Sequence, residues 1–370
     1  METNEIISVS KNLGIKGDIL GVSILSSGHI NSTYKVDVDE NGTRKSYIVQ
    51  KINTNVFKDP KALMSNILSV TGFIADTNKS NKRISSLKFL PGENGTGLAV
   101  YDNDYYRSYE FVENSETYDI TENQNIIYET GYAFGEFQRM LGNFPASMLV
   151  ETIPNFHNTP NRFADFEQAV DVDFVSRKYR VEKVIDEYLA LKTLASQMYI
   201  KYLKGKLPSR VTHNDTKCNN VLFDVNTKKH LCVIDLDTVM PGLAGFDFGD
   251  GVRFIASTAT EDEQDLSKVA LDLNKFESFT KGFLKGAGDV FTEEELNSLS
   301  LGAITMTVEV GVRFLTDFLN GDSYFKINYA DHNLDRALCQ LQLAKSMIKN
   351  YDKMNEIVRK CKVQEDESNY

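Results

Sequence analysis

The sequence contains no tryptophan, and only four of its 370 residues are cysteine. The cysteines are Cys218, Cys232, Cys339 and Cys361, and no two of them form a C-x-x-C pair. So few thiols in so long a chain argue against a disulfide framework and favour reduced cysteines, as in a cytoplasmic protein. Tryptophan is the best cation–π residue, and its absence makes an aromatic cage for a quaternary ammonium group an unattractive hypothesis.

Runs of positive charge and long apolar stretches are also missing. The formal net charge is −11 and the sequence pI is about 5.1, so neither nucleic acid nor an anionic membrane surface is an expected partner. No apolar run approaches the length of a membrane span. The N-terminal Met-Glu-Thr-Asn-Glu has none of the hydrophobic core of a secretory signal. We expect a cytoplasmic monomer or weak homo-oligomer whose partner is a small molecule.

The chain changes character after its first third. Apolar runs and alternating patterns predict an antiparallel sheet of about five strands, and Asn41-Gly42 supplies a hairpin turn. The predicted strands are 19–25, 33–38, 46–52, 87–90, 98–101 and 105–112, with a helix that begins at Asp59-Pro60. Helical spacing of apolar residues then predicts long helices at 122–141, 165–175, 180–203, 261–285, 292–319 and 335–360. The pattern indicates an α+β fold of two lobes, an N-terminal sheet lobe at 1–113 and a mainly helical lobe at 114–370.

The most informative segment is H-N-D-T-K-C-N-N at 213–220, followed after a short hairpin by V-I-D-L-D at 233–237. Phosphoryl transfer from ATP to a hydroxyl needs one carboxylate to orient the attacking oxygen. It also needs a carboxamide and a second carboxylate to hold Mg²⁺ on the phosphates. The spacing assigns these roles to Asp215, Asn220 and Asp235, in that order. The alternative is that all three are ordinary loop residues, which turns and helix caps favour.

Five further residues in or near this segment have expected roles. Lys217 is expected to lie near the transferred phosphoryl group and to neutralise charge there. Asp237 is either a second metal ligand or a residue that orients the neighbouring backbone, and the sequence leaves both open. Asp247 and Asp250 belong to a D-F-G-D motif, and their carboxylates are expected to accept backbone N–H bonds that hold the catalytic loop. Phe248, between them, is expected to pack beneath the loop.

The N-terminal lobe offers candidate contacts to the nucleotide. Ser27 and Gly28 lie between two predicted strands, where small residues let backbone N–H groups approach phosphates. Lys51 ends a predicted strand and is expected to point toward the phosphates; the alternative is a solvated lysine at a strand end. Backbone groups of Glu110 and Val112 are expected to bind an adenine edge. We therefore predict that residues 1–113 bind ATP and that the helical lobe supplies the ligands for Mg²⁺.

These motifs resemble those of the aminoglycoside phosphotransferase and choline kinase superfamily. Within it, the pattern is most similar to the N-acetylhexosamine 1-kinase family. The resemblance covers nearly the whole chain and rests on S-G-H-I-N at 27–31, N-T-N-V-F at 53–57, T-H-N-D-T-K at 212–217, I-D-L-D-T-V-M-P-G at 234–242, D-F-G-D at 247–250 and R-F at 253–254.

The resemblance implies a protein-kinase-like fold with ATP and Mg²⁺ as cofactors. It implies that Asp215 is the base and that Asn220 and Asp235 bind magnesium. It also implies that the anomeric hydroxyl of N-acetylglucosamine or N-acetylgalactosamine is phosphorylated. The residues expected to contact the sugar are His29, Asp215, Arg313 and Tyr324.

Alternative functions stay open at this point. One is another small-molecule kinase of the same fold, acting on choline, methylthioribose, homoserine or an aminoglycoside. Another is a nucleotide-binding regulator without turnover, although an inactive copy would be free to lose Asp215, Asn220 and Asp235. Without the resemblance, Arg313 and Tyr324 are equally well read as a helix ion pair and a core aromatic residue. The mixed donors, acceptors and aromatic faces near them suit a sugar.

Overall fold

The computed structural model describes residues 2–25, 31–77 and 86–368. The first elements in chain order are α1 (Glu2–Asn12), β1 (Asp18–Leu25), β2 (Ser32–Glu40), β3 (Thr43–Lys51), α2 (Pro60–Thr77), β4 (Ala99–Tyr101), β5 (Asp104–Glu110) and β6 (Ser115–Glu116). Strands β1 to β5 form one sheet in the order β1-β2-β3-β5-β4, and every neighbouring pair is antiparallel. Asn41 and Gly42 join β2 to β3 with φ angles of 57° and 80°, as a two-residue hairpin with positive φ requires.

The two faces of this sheet meet different partners, because side chains alternate along each strand. On one face, Val49 of β3 is buried in a cluster with Ile6 of α1. Lys51 lies on the same face, and its Nζ is 3.8 Å from Oε1 of Glu5 in α1. Gln50 points to the opposite face, toward the helical part of the chain. Helix α1 therefore covers one face and leaves the other to the functional site.

The rest of the chain is mainly helical. Its elements are α3 (Gln124–Met140), α4 (Thr159–Val172), α5 (Glu182–Ala195), α6 (Gln197–Leu203), β7 (Arg210–Thr212), β8 (Val221–Asp224), β9 (His230–Val233), β10 (Met240–Gly242), α7 (Ala244–Ile255), α8 (Leu273–Ala287), α9 (Glu293–Leu296), α10 (Leu299–Leu319), α11 (His332–Lys349) and α12 (Tyr351–Ser368). Strands β7 and β10 pair with each other, and β6, β8 and β9 form a three-stranded sheet. These short strands carry the loops of the H-x-D motif and of the second Asp.

Helix α10 lies at the centre of the helical part and packs on α4, α5, α7 and α11. Among the described residues, it is the one helix long and apolar enough to cross a membrane by length and composition. However, 89% of its most apolar window is buried inside the protein. A helix that is apolar all round is expected when it is enclosed by other helices. The buried core thus runs through the helical part and supports α7, which follows the second Asp.

The structure confirms the α+β class and the order of sheet before helices. Several element bounds differ from prediction. Helix α1 is not predicted, and the expected strand at 87–90 is only a single bridge between Phe89 and Tyr109. The helix predicted at 180–203 is interrupted at Ser196, and the one predicted at 335–360 is interrupted at Asn350. The predicted helix 261–285 begins only at Leu273. Apolar spacing persists across one-residue breaks, so periodicity alone does not locate them.

Candidate active site

The H-x-D segment forms the loop between β7 and β8, and Asp247 of α7 holds its backbone. One carboxylate oxygen of Asp247 accepts from the N–H of His213 at 2.9 Å, and the other accepts from the N–H of Asn214 at 2.8 Å. Asn214 has a φ of 65°, in the left-handed region that few residues besides Gly, Asn and Asp adopt. The buried carboxylate therefore stabilises the turn that presents the next residue, Asp215.

Asp250 holds the following turn of the same loop. Its Oδ2 accepts from the N–H of Thr216 at 2.8 Å, and its Oδ1 accepts from Nη2 of Arg253 at 2.9 Å. Phe248 is fully buried, and its ring lies 5.3 Å from that of Phe283 in α8. The predicted structural role of the D-F-G-D motif is confirmed.

Asp215, Lys217 and Asn220 converge at the open side of this loop. Nζ of Lys217 lies 2.8 Å from Oδ1 of Asp215, and Nδ2 of Asn220 donates to Oδ2 of Asp215 at 3.0 Å. Burial alone would raise the pKa of this carboxyl group, but Lys217, His213 and Asn220 outweigh burial and lower it. Burial lowers the pKa of Lys217, and the adjacent Asp215 outweighs burial and raises it. An ionised carboxylate and a protonated ammonium therefore face each other at neutral pH.

Asp235 reaches the same site just after β9. It follows Ile234, whose N–H donates to the carbonyl of Asn220 at 2.9 Å and whose carbonyl lies 2.8 Å from Nε2 of His213. The backbone of Asp235 adopts the left-handed conformation, with φ of 57° and ψ of 61°. This conformation turns the chain away from the direction of the strand. Backbone hydrogen bonds thus join the two halves of the motif that the sequence separates.

The Asp235 carboxylate is suited to a cation. Its side chain is exposed to solvent, and no donor in the described residues hydrogen-bonds to it. Protein surrounds the other sides of this carboxylate and excludes water from them. This burial, together with the negative charges of the nearby Asp237 and Asp215, raises the pKa of Asp235 to about 7. A positive charge placed here would relieve the repulsion among these carboxylates.

The donor set fits Mg²⁺ that is shared with phosphates better than it fits an all-protein metal site. Over residues 2–25, 31–77 and 86–368, no group of three or more His, Cys, Asp or Glu could hold a metal ion. Mg²⁺ in proteins is commonly held by one or two carboxylates together with phosphate oxygens and water. Asn220 and Asp235 therefore suit the predicted Mg²⁺ when a nucleotide supplies phosphate oxygens as the other ligands.

Asp237 is not part of the open side of the site. It is buried, and Arg107 of β5 forms an ion pair with its Oδ1. Nδ2 of Asn31 donates to its Oδ2 at 2.6 Å. Of the two interpretations that the sequence leaves open, these contacts favour the structural one over a second metal ligand.

The position of Lys51 corrects our prediction that it points toward the nucleotide phosphates. Its ammonium group pairs with Asp104 and lies near Glu5, on the face of the sheet that α1 covers. The neighbouring Gln50 lies on the opposite face, where its Oε1 accepts from Nε of Arg107 at 2.9 Å, and Arg107 pairs with Asp237. Strand alternation is as predicted, but which face α1 would cover is not visible in the strand itself.

Glu110 and Val112 lie where the sheet leads into the helical part. The N–H of Glu110 donates to the carbonyl of Lys88 at 3.0 Å, so this donor is already used. Its carboxylate also pairs with Nζ of Lys88, at 2.5 Å. Val112 is buried in an apolar cluster with Leu87 and Cys232. An adenine contact from the backbone here stays a prediction.

Three more predicted contacts, Ser27, Gly28 and His29, lie outside the described residues. Their assigned roles in binding phosphates and sugar therefore stay predictions. The described neighbour of this segment is Asn31, which reaches the second half of the catalytic motif through Asp237.

Comparison with protein families places the chain in a known group. A model of the phosphotransferase enzyme family matches residues 21–282. The chain belongs to this family. The match spans nearly all of the sheet, the loop with Asp215 and Asn220, and the segment of Asp235.

Solved structures similar to this phosphotransferase share its fold along almost the whole chain. A microcompartment-associated aminopropanol kinase has a TM-score of 0.59 at 14% identity, covering 94% of this chain and 98% of its own. A choline kinase from Cryptosporidium parvum has a TM-score of 0.57 at 15% identity, covering 94% and 97%. A spectinomycin phosphotransferase in complex with ADP and spectinomycin has a TM-score of 0.55 at 13% identity, covering 97% and 98%. The kinase-like fold and the superfamily inferred from the motifs are confirmed.

A cavity of about 560 Å³ in this phosphotransferase brings together the two C-terminal residues expected to contact a sugar. Arg313 and Tyr324 both line it, and the guanidinium carbon of Arg313 lies 5.8 Å from the Tyr324 ring centroid. Asp215 is not among the described residues that line this cavity. The structure thus forms two groups, one around Asp215 and one around Arg313, and does not join them in a single cavity.

No sequence motif points to Arg107, although it contacts the second half of the catalytic motif. Its side chain is only 2% exposed. The available signal is an arginine in the middle of a predicted strand, between aromatic residues, where a buried charge requires a partner. That signal predicts an ion pair but does not name Asp237 as the partner, 130 residues away along the chain.

Proposed function

We propose that the protein transfers the γ-phosphoryl group of ATP to the anomeric hydroxyl of an N-acetylhexosamine, giving the sugar 1-phosphate. The observation that carries the proposal is the convergence of Asp215, Asn220 and Asp235 on one side of the catalytic loop. Family membership supports phosphoryl transfer to a small molecule. The sugar is inferred from the motif resemblance and from the chemistry of the large cavity.

Asp215 acts as the base in this proposal. Its lowered pKa keeps the carboxylate ionised, so it can orient an incoming hydroxyl group and accept its proton. The hydroxyl oxygen forms the new bond to phosphorus while the bond to the leaving oxygen of ADP breaks. Lys217, at 2.8 Å from Asp215, keeps a positive charge next to the reacting oxygens.

Asn220 and Asp235 are the residues that would hold Mg²⁺. The chemistry that the metal supplies when bound is neutralisation of negative charge on the phosphate oxygens. Asn220 uses its side-chain nitrogen to donate to Asp215, which leaves its side-chain oxygen for a cation. Asp235 contributes an exposed carboxylate with no hydrogen-bond donor among the described residues.

An apolar cluster supports a site for the adenine base. Val112 is buried there, and Leu222 of β8 and Ile234, just after β9, pack against the same cluster. Ile234 immediately precedes Asp235, so a base held in this cluster would bring the phosphates toward the residues that hold the metal. The face of the sheet that carries Gln50 lies on the same side as these residues.

The charges of the large cavity support a neutral, hydroxylated acceptor. Within the described part of the chain, no carboxylate pairs with Arg313, which faces aromatic rings instead. Burial and then the nearby Arg313 lower the pKa of Arg162. The carboxylate of Asp317 accepts from the backbone N–H groups of 323–325, and Asp165 lies 3.9 Å from Arg162. Guanidinium groups repel an ammonium ion, whereas donors and aromatic faces suit sugar hydroxyls and C–H surfaces.

An acceptor panel tests the proposal. The purified protein is given Mg²⁺-ATP with N-acetylglucosamine, N-acetylgalactosamine, glucose, choline, homoserine, methylthioribose or kanamycin, and ADP release is measured. We expect the two N-acetylhexosamines to give the highest kcat/KM, with phosphorus NMR showing an anomeric phosphate as product. Preference for choline, homoserine or kanamycin would contradict the proposed sugar acceptor, but it would agree with phosphotransferase activity.

Replacement of Asp215 tests its assignment as the base. Asp215→Ala is expected to lower kcat by about 10²- to 10⁴-fold, because the acceptor proton loses its acceptor group. ATP binding, measured by calorimetry, should change little, since Asp215 faces the acceptor. A variant that turns over at nearly the wild-type rate would contradict the assignment of Asp215.

A further inference from the structure

We propose that Arg107 is a positioning residue of the phosphoryl-transfer site. Its ion pair with Asp237 joins the sheet to the segment that carries Asp235, and so holds the Asp235 carboxylate where a metal–nucleotide complex meets it. The inference rests on the proposed nucleotide-dependent function.

The contacts of Arg107 lie on the sheet face that turns toward the catalytic loop. Its Nη1 pairs with Oδ1 of Asp237, and its Nε donates to Oε1 of Gln50 on the adjacent strand at 2.9 Å. The side chains of Arg107 and Asp237 are 2% and 4% exposed. A planar guanidinium that contacts two partners in this way has little freedom to move.

A second contact from the sheet side reaches the same carboxylate. Nδ2 of Asn31 donates to Oδ2 of Asp237 at 2.6 Å. Oδ1 of Asn31 in turn accepts from the N–H of Asn53 at 2.9 Å. Both oxygens of Asp237 are therefore held by residues of the N-terminal part, which favours a structural role for this carboxylate.

Asp235 lies between two such attachments. On one side, the backbone of Ile234 is bonded to Asn220 and His213 of the catalytic loop. On the other side, two residues along, Asp237 is bound to the sheet. The carboxylate of Asp235 has no hydrogen bond of its own among the described residues, so its direction depends on these neighbours.

The positioning role and simple electrostatics predict opposite effects of removing Arg107 on cation binding at Asp235. Removing the positive charge of Arg107 should by itself strengthen the binding of a cation at Asp235. If Asp237 were a metal ligand, its release from Arg107 would strengthen binding further. If Arg107 positions Asp235, its removal weakens cation binding instead.

The experiment titrates Mn²⁺ into the full chain at saturating ADP, with bound Mn²⁺ measured by electron paramagnetic resonance. The variants are Arg107→Gln, Arg107→Lys and the double variant Arg107→Gln/Asp237→Asn. The double variant leaves no unpaired buried charge, and Arg107→Lys keeps the charge without the two-pronged contact. We expect Mn²⁺ to bind about 10- to 100-fold more weakly in the Gln and double variants, as for other residues that orient a metal ligand. The affinity for ADP without metal, measured by calorimetry, should stay within about two-fold, because Arg107 does not reach the open side of the site.

A second buried ion pair provides the control for a general loss of stability. Nη2 of Arg210 lies 2.7 Å from Oε2 of Glu295, and their side chains are 13% and 3% exposed. Arg210→Gln/Glu295→Gln should lower the thermal midpoint and leave Mn²⁺ affinity unchanged.

The possible outcomes are distinct. Unchanged or tighter Mn²⁺ binding in the folded Arg107 variants would overturn the positioning role and leave the proposed function standing. A wild-type protein that binds no Mn²⁺-ADP would overturn both. Weaker binding of Mn²⁺ with unchanged binding of ADP alone supports Arg107 as proposed, whether or not an acceptor has been identified.

Discussion

Single carboxylates in this protein differ by the donors that face them. Asp247 accepts two backbone N–H groups of the catalytic loop, whereas Asp235 accepts none among the described residues. Glu129 of α3 accepts from both the N–H and Nδ1 of His230, at 3.1 Å and 2.6 Å. Burial would raise the pKa of Glu129, but the hydrogen bonds and charge of His230 outweigh burial and lower it. The ionised form of Glu129 therefore stabilises the fold, whereas Asp235 is the residue that we propose holds the metal.

Glu129→Gln should make this difference measurable. A lowered pKa means that the stabilisation is present above the ordinary value of 4.5 and is lost as pH falls through the folded-state pKa below it. We expect the free energy of unfolding to fall by about 1–3 kcal/mol at pH 7, since a hydrogen bond to a charged group is lost. Urea denaturation should show that the difference in free energy of unfolding between the wild type and Glu129→Gln becomes smaller below pH 4.5. A difference in free energy of unfolding that does not change with pH would contradict the role of the Glu129 charge. The control is Glu113→Gln, at an exposed glutamate.

At the scale of elements, α3 and α8 approach so closely that side chains are excluded at several positions. A Cβ atom at Gly282 of α8 would lie 1.9 Å from the carbonyl oxygen of Tyr128 in α3. One at Gly135 of α3 would lie 2.0 Å from the carbonyl oxygen of Phe283. Helix propensity disfavours glycine at these positions, so close packing of the two backbones is the reason for it.

Gly282→Ala and Gly72→Ala should therefore have opposite effects. Gly72 lies in the exposed part of α2, and a Cβ atom there would have nothing within 4 Å. Gly72→Ala should raise the free energy of unfolding by about 0.5–1 kcal/mol, through reduced freedom of the unfolded chain. Gly282→Ala should lower it by about 1–3 kcal/mol, because α3 and α8 must separate. Guanidinium denaturation of both variants gives the comparison, and a neutral or stabilising Gly282→Ala would refute the close contact.

At the scale of the whole molecule, the candidate site draws on both parts of the chain. The sheet supplies Arg107 and the helical part supplies Asp215, Asn220 and Asp235. A ligand that binds only the folded chain stabilises all of it. The raised pKa of Asp235 has the opposite effect, because its ionised form is unfavourable in the fold at neutral pH without a cation.

Thermal unfolding with and without ligand should show both effects. Mg²⁺ with ADP at 100 times the dissociation constant should stabilise the wild type by about 2.7 kcal/mol, and EDTA should remove the part that depends on metal. Asp235→Asn should be at least as stable as the wild type without ligand and should lose the Mg²⁺-dependent increment. An undiminished increment in that variant would show that Asp235 does not hold the metal.

The residues that could be assigned from the sequence are those whose partners are near in the chain or whose spacing is chemically specific. Asn41-Gly42 forms its predicted turn, because two positive φ angles are a local requirement. Asp247 and Asp250 hold the catalytic loop as expected. Lys51 was assigned to the wrong side of its strand, because alternation defines two faces without saying which one a distant helix covers.

The sequence by itself determined the α+β class, the loop with Asp215 and Asn220, and the strand that precedes Asp235. Each follows from hydrophobic periodicity or from a spacing that phosphoryl transfer requires. Only the tertiary structure decided that α1 covers Lys51, that Arg107 pairs with Asp237, and that Arg313 and Tyr324 share a cavity. Those outcomes depend on contacts between segments far apart in the chain, where burial of charge and close packing select partners that no local pattern encodes.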